Sequence, residues 1–173
     1  YNVEAAEVLA SKALELPISD AVPIYERLLA AYPTSSKFWK QYVEAHMAVN
    51  NDEATRQIFS RCLLICLHVP LWRCYMHFIR KVNDKKGLEG QEETKKAFEF
   101  MLNYVGVDIT SGPVWMEYIA YLKSLPAQTT IEESQRMTTI RKTYQRAIVM
   151  PTSHLEQLWR DYENFENSVS RAL

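Results

Sequence analysis

Apolar side chains recur along this chain at steps of three and four residues, and no segment alternates convincingly in steps of two. The longer step keeps side chains on one face of a helix, whereas steps of two would line one face of a strand. The pattern therefore predicts an all-α protein, with helices near residues 3–15, 20–32, 37–49, 53–68, 71–83, 90–105, 113–125, 131–149 and 154–168. Helix starts are legible as well. Thr130 with Glu133, and Ser153 with Glu156, have capping-box spacing, and Ser19, Ser36 and Asp52 can each accept from an orphan backbone N–H. The polar run from Asn83 to Gly90 reads as an insertion that lengthens one inter-helix loop.

The helices fall into a repeat. All four tryptophans stand three residues before a tyrosine, as Trp39 and Tyr42, Trp72 and Tyr75, Trp115 and Tyr118, and Trp159 and Tyr162. Tyr makes up 10 of 173 residues, so four such coincidences by chance come to about one in a hundred thousand. A second motif lies between the tryptophan helices, with Tyr25, Phe59, Phe98 or Tyr144 followed at the third and fourth positions by smaller apolar groups. The unit is thus a pair of helices. Pro33, Pro70, Pro113, Pro126 and Pro151 punctuate the pairs where a helix must stop or restart.

Composition sharpens this. Four glycines in 173 residues leave little material for phosphate-cradling loops or turn-dense β architectures. Twenty Lys and Arg against 21 Asp and Glu give a net charge of −1, whereas a domain that lives on bare nucleic acid carries a basic excess. Cys62, Cys66 and Cys74 form an odd, tight cluster unlike a disulfide framework, which points to a reducing, intracellular setting. No apolar run approaches the roughly 20 residues of a membrane span. The opening at Tyr1 and the stop at Leu173 within the pattern lead us to expect a piece of a longer protein.

The Trp-x-x-Tyr helix, together with Arg61-Cys62-Leu63 before Pro70 and Arg146-Ala147-Ile148 before Pro151, resembles the half-a-TPR (HAT) repeat. Glu26-Arg27-Leu28-Leu29 before Pro33 fits the same second helix, and Phe98-Glu99-Phe100-Met101-Leu102 departs from it. The strings from Val69 to Tyr75 and from Glu156 to Tyr162, with Gln135-Arg136 and Tyr144-Gln145-Arg146, are similar to the amino-terminal HAT region of the large scaffold subunits of cleavage stimulation factor. That resemblance implies a right-handed α-α solenoid of antiparallel pairs over residues 1–173, a single domain truncated within its last repeat. It further implies a nuclear, non-catalytic scaffold in mRNA 3′-end cleavage and polyadenylation. Its partners would be other subunits of that machinery, with a homodimer formed through a later region outside this chain. HAT scaffolds of splicing or ribosomal RNA processing, and a direct RNA-binding module, remain alternatives.

Candidate chemistry is sparse. Cys62, Cys66 and His68, with Cys74 and His77, could in principle enclose zinc, but the repeat register turns Cys62 inward and Cys74 outward, so the ligands do not converge. His46, His68, His77 and His154 have no nucleophile or orienting partner at a recognisable spacing, and no catalytic, cofactor or metal residue is nominated. Tryptophan in a fixed register is expected in the core, where stacked pairs bury faces they cannot bury alone, more than as a platform for bases. The basic residues, among them Arg80, Lys81, Lys85, Lys86, Lys95 and Lys96, are interleaved with Asp84, Glu89, Glu92 and Glu93, so RNA contact is expected to be weak or indirect. The partner-binding residues cannot be named from register alone.

Overall fold

The computed structural model describes residues 2–172, and among them every regular element is a helix. In chain order these are α1 (Val3–Leu14), α2 (Ile18–Ala31), α3 (Ser36–Ala48), α4 (Asp52–Cys62), α5 (Val69–Asn83), α6 (Gly87–Val105), α7 (Gly112–Ser124), α8 (Thr130–Ala147) and α9 (Leu155–Ala172). The Trp-x-x-Tyr motifs lie on α3, α5, α7 and α9, and the second motif on α2, α4, α6 and α8. The all-α class and the two-helix unit of an α-α solenoid are as the pattern predicts.

Two elements differ from expectation. The helix expected over 53–68 stops at Cys62. Its hydrogen bonding lingers through Cys66 N–H to the Cys62 carbonyl (3.0 Å), and then the chain extends to meet Pro70. His68 at the cap is extended, and α5 starts afresh at Val69 with Pro70 in its first turn, where a preset φ suits a helix and the missing N–H would be unpaired in any case. The supposed loop insertion is largely helix instead, because α6 already begins at Gly87, whose φ of +63° only glycine adopts without strain.

Caps fall one residue earlier than predicted. Ser35, not Ser36, accepts from Phe38 N–H, and Asn51 precedes α4 where Asp52 was expected. At α8 Thr129 caps in place of Thr130: its Oγ1 accepts from Glu132 N–H at 3.1 Å, and the Glu132 carboxylate reaches back past the cap to accept from Gln128 N–H at 2.8 Å. Ser19 lies inside α2, after Pro17 at the cap position. Ser153 spends its N–H on the Ile109 carbonyl, tying the loop before α9 to the loop before α7.

The chain divides into two compact units, Tyr1–Lys95 and Lys96–Leu173, with the division inside α6. In the first, α3 packs on α2, α4 and α5, and α1 closes against α2 and α3. Its core is built on Tyr25, Trp39, Val43, Phe59, Trp72 and Phe78, all 5% exposed or less. In the second, α8 lies between α7 and α9 around Phe98, Trp115, Ile140, Tyr144 and Leu158. Two tryptophans also pin the loops that lead into their own helices. Trp39 Nε1–H donates to the Pro33 carbonyl at 2.7 Å, and Trp115 Nε1–H to the Gly106 carbonyl at 3.0 Å. Burial of an indole thereby carries a satisfied N–H with it. At Gly112 the first turn of α7 passes so close to His154 that a Cβ there would collide with the imidazole.

Candidate functional site

The thiols and imidazoles of the central segment do not form a centre. Cys62 and Cys66 are buried among apolar groups, and burial pushes the Cys62 thiol up to about 12. Cys74, expected to face outward, is half-buried instead: its thiol contacts Met47 Sδ at 3.8 Å, and desolvation raises it to about 11. The register argument for Cys74 thus fails in orientation, because α3 covers that position. Among the described residues no three His, Cys, Asp or Glu side chains are grouped as metal ligands would be. None of the three thiols has the lowered pKa of a reactive cysteine.

The geometry instead pairs charged residues that the sequence marks only as parts of the repeat motif. On α2, Glu26 accepts two parallel hydrogen bonds from Arg61 of α4, each 2.8 Å, and a third from the Tyr42 hydroxyl of α3 at 3.2 Å. The Arg61 guanidinium lies 5.1 Å from the centroid of the Trp39 ring. In the second unit Glu99 of α6 accepts from Arg146 of α8 at 2.8 and 2.9 Å and from the Tyr118 hydroxyl of α7 at 2.9 Å, while Arg146 sits 5.3 Å over Trp115. Each clasp therefore ties one second-motif helix to the next across the intervening tryptophan helix, with bidentate and cation–π geometry. The sequence signal was present: Glu stands one residue after the aromatic of the second motif, and Arg two residues after it. Ser60 and Phe100 fill those slots in the remaining set, without charge.

Electrostatics follow from this geometry. The hydrogen bonds from Arg61, opposed by burial and helped by the Arg61 charge and the Tyr42 hydroxyl, hold Glu26 below the usual carboxylate range. Burial works to raise Glu99, but the hydrogen bonds from Arg146 and Tyr118 and the Arg146 charge outweigh it, and the net shift is down. Burial and the Glu26 carboxylate push Tyr42 up to about 12. The ion-pair side chains are 38–48% exposed, so solvent screens each pair to about 1 kcal/mol or less.

Two clefts open beside the second-motif tyrosines. In the second unit a cleft of about 660 Å³ is floored by Ile119, Ile140, Leu158 and Phe165. Lys123 reaches over it, donates to the Tyr144 hydroxyl at 2.7 Å, and lies 5.1 and 5.8 Å from the centroids of the Tyr144 and Phe165 rings. Arg136 closes one end, bonding the Lys123 and Leu125 carbonyls and both oxygens of Glu133. In the first unit a smaller cleft of about 360 Å³ lies between α1, α2 and α3, beside Tyr25. Of the tryptophans, Trp39, Trp72 and Trp115 are at most 3% exposed, whereas Trp159 on α9 is 45% exposed.

Helix pairs of this kind turn most of the aromatic motif to the interior and leave open clefts beside Tyr25 and Tyr144. The chain matches the Suppressor of forked protein (Suf) family over residues 1–173. It belongs to the Suf family. Among Suf relatives, it is 70% identical over 173 residues to "Cleavage stimulation factor subunit 77" of Arabidopsis thaliana, covering all of this chain and 24% of that protein. It is 42% identical over 148 residues to "mRNA 3'-end-processing protein rna14" of Schizosaccharomyces pombe, or 86% of this chain and 20% of the relative. With "Protein suppressor of forked" of Drosophila melanogaster it shares 33% identity over 171 residues, 98% of this chain and 22% of the relative. The chain thus spans about a quarter or less of the length of these Suf proteins, and the HAT resemblance carried by its Trp-x-x-Tyr helices is borne out.

Proposed function

We propose that the chain is a non-catalytic protein-interaction scaffold in pre-mRNA 3′-end cleavage and polyadenylation, a nuclear part of a cleavage stimulation factor-like complex. The observation that carries the reading is the 70% identity, over every residue of the chain, to a protein named as a cleavage stimulation factor subunit. The molecule supports it physically. Three of its four tryptophans are spent on packing and loop pinning, so they are not a platform on which bases stack. A net charge of −1 gives little long-range pull on a phosphate backbone, so RNA contact is weak or indirect. Its partners are other subunits of the cleavage and polyadenylation machinery, and a homodimer formed through a region outside this chain belongs to the same proposal.

The test is capture from nuclear extract on the immobilised chain, with and without ribonuclease. Retention of polyadenylation-machinery proteins that survives ribonuclease is expected. Capture that vanishes with the RNA, together with direct RNA affinity that falls steeply with salt, would replace the scaffold reading with an RNA-binding one.

A further inference from the structure

The two clefts are the same place in two repeats. Counting from the tryptophans and from the second-motif aromatics, Tyr25 stands for Tyr144, Ala21 for Ile140, Gln41 for Asp161, Glu44 for Asn164 and Ala45 for Phe165, and all of these line their respective clefts. The first helix of each pair aligns too, since the buried Ala6, Ala10 and Ala13 of α1 repeat the spacing of the buried Trp115, Ile119 and Leu122 of α7. That register puts Leu14 where the second unit has Lys123. Both positions are exposed and both line the cleft.

One difference then stands out. In the second unit the Tyr144 hydroxyl accepts from Lys123, whose ammonium lies against two rings. In the first unit Leu14 has no donor to offer. Tyr25 is fully buried, and its hydroxyl has no hydrogen-bond partner among the described residues; neither does the buried Oε1 of Gln41 in the same cleft. A buried polar atom left unsatisfied is costly, and native interiors tolerate few. Glu44 adds a carboxylate at the rim, where Lys40 meets its Oε1 at 3.2 Å, and its charge reaches the Tyr25 hydroxyl. The remaining lining is aliphatic, including Ala21, Ala45, Ala48 and Ile18. An aliphatic cleft whose lining residues include two with unpartnered acceptor oxygens fits a long methylene stem tipped with an ammonium group.

We propose that the cleft between α1, α2 and α3 receives a lysine side chain from a partner protein, taking from outside the group that the second unit supplies as Lys123. The proposal rests on the scaffold reading and gives it a point of contact: a segment that lays one lysine across the α1–α2 connection, its stem on Ala21 and Ala45 and its ammonium donating to Tyr25 Oη and Gln41 Oε1.

The probes are a blocked nine-residue peptide with one lysine at its centre among alanine and leucine, and its twin carrying norleucine, which keeps the stem and lacks the amine. Binding is read as chemical-shift changes at the Ala21 and Ala45 methyls of the 173-residue chain. The lysine peptide is expected to saturate those signals with an affinity at least tenfold above its twin. Tyr25→Phe, which keeps the ring in the core, should remove that tenfold difference, and Leu14→Lys, which supplies the ammonium from within, should block the lysine peptide altogether. Equal affinities for the two peptides, no shift with either, or full binding to the Leu14→Lys chain would overturn the proposal. Methyl signals that move with the concentration of the free chain itself would assign the cleft to a second copy and overturn it as well. Retention of extract proteins does not require this cleft, so peptides that fail while extract proteins are retained sink the cleft and leave the scaffold standing.

Discussion

The indole of Trp115 is 1% exposed, donates its N–H to the Gly106 carbonyl and is roofed by Arg146. Trp115→Ala removes all three contributions and leaves a cavity, so a loss of roughly 3–5 kcal/mol is expected in denaturant melts. Trp159 shares the motif, yet it is 45% exposed. Trp159→Ala should cost less than half as much, and equal midpoints for the two variants would show that exposure does not govern this register. Motif spacing alone does not set this difference, because identical spacing cannot tell which indole another helix covers. The clasp pairings were missed for a related reason. Phe98-Glu99-Phe100 looked like a departure from the second-helix pattern, whereas Glu99 does in the second unit what Glu26 does in the first. Mutating Glu26 to Gln and Arg61 to Met, singly and together, should show a coupling of about 0.5–1 kcal/mol that shrinks as salt is added.

Helix identity was legible wherever a three-and-four periodicity ran between clear breakers, and it failed where apolar content outlasted the helix. Leu64, Ile65 and Leu67 extend the apolar run of α4, but they are more than half exposed, because the chain has already turned toward Pro70. The caps slipped by one residue because adjacent polar groups compete for the same N–H donors, and only backbone geometry decides between Ser35 and Ser36 or between Thr129 and Thr130. Elements also meet at points that no pattern reports. Gly112→Ala would ordinarily gain helix propensity, but its methyl collides with His154, so a loss of roughly 1–3 kcal/mol by thermal melting is expected in place of a gain. The clefts were beyond reach of the sequence alone, since they depend on which loop carries the neighbouring helix past a tyrosine.

At the scale of the whole chain, two sets of groups give stability a dependence on pH. Burial holds His46 below its ordinary 6.5, so between the folded and ordinary values the unfolded chain binds the additional proton. Its contribution is complete above about pH 6.5 and declines as the pH falls below that. Glu26 and Glu99 are held below their ordinary 4.5, so theirs is complete above about pH 4.5 and is lost as the pH falls through the lowered values. Melts across this range should show stability that only decreases on acidification, in two stages. His46→Gln should erase the upper stage and leave the lower one, and a profile that rises on acidification would contradict both assignments.

The uneven cover over the tryptophans also makes the chain its own optical gauge. Emission from an indole in contact with water lies to the red of one in an apolar interior, and a dissolved quencher such as iodide reaches only the former. Trp159 should therefore account for nearly all the quenching in the folded chain, while Trp39 and Trp115, each beneath a guanidinium, stay dark to the quencher until their own unit opens. Because Trp39 and Trp72 belong to the first unit and Trp115 and Trp159 to the second, variants that keep a single indole would time the opening of each unit separately, with no added dye.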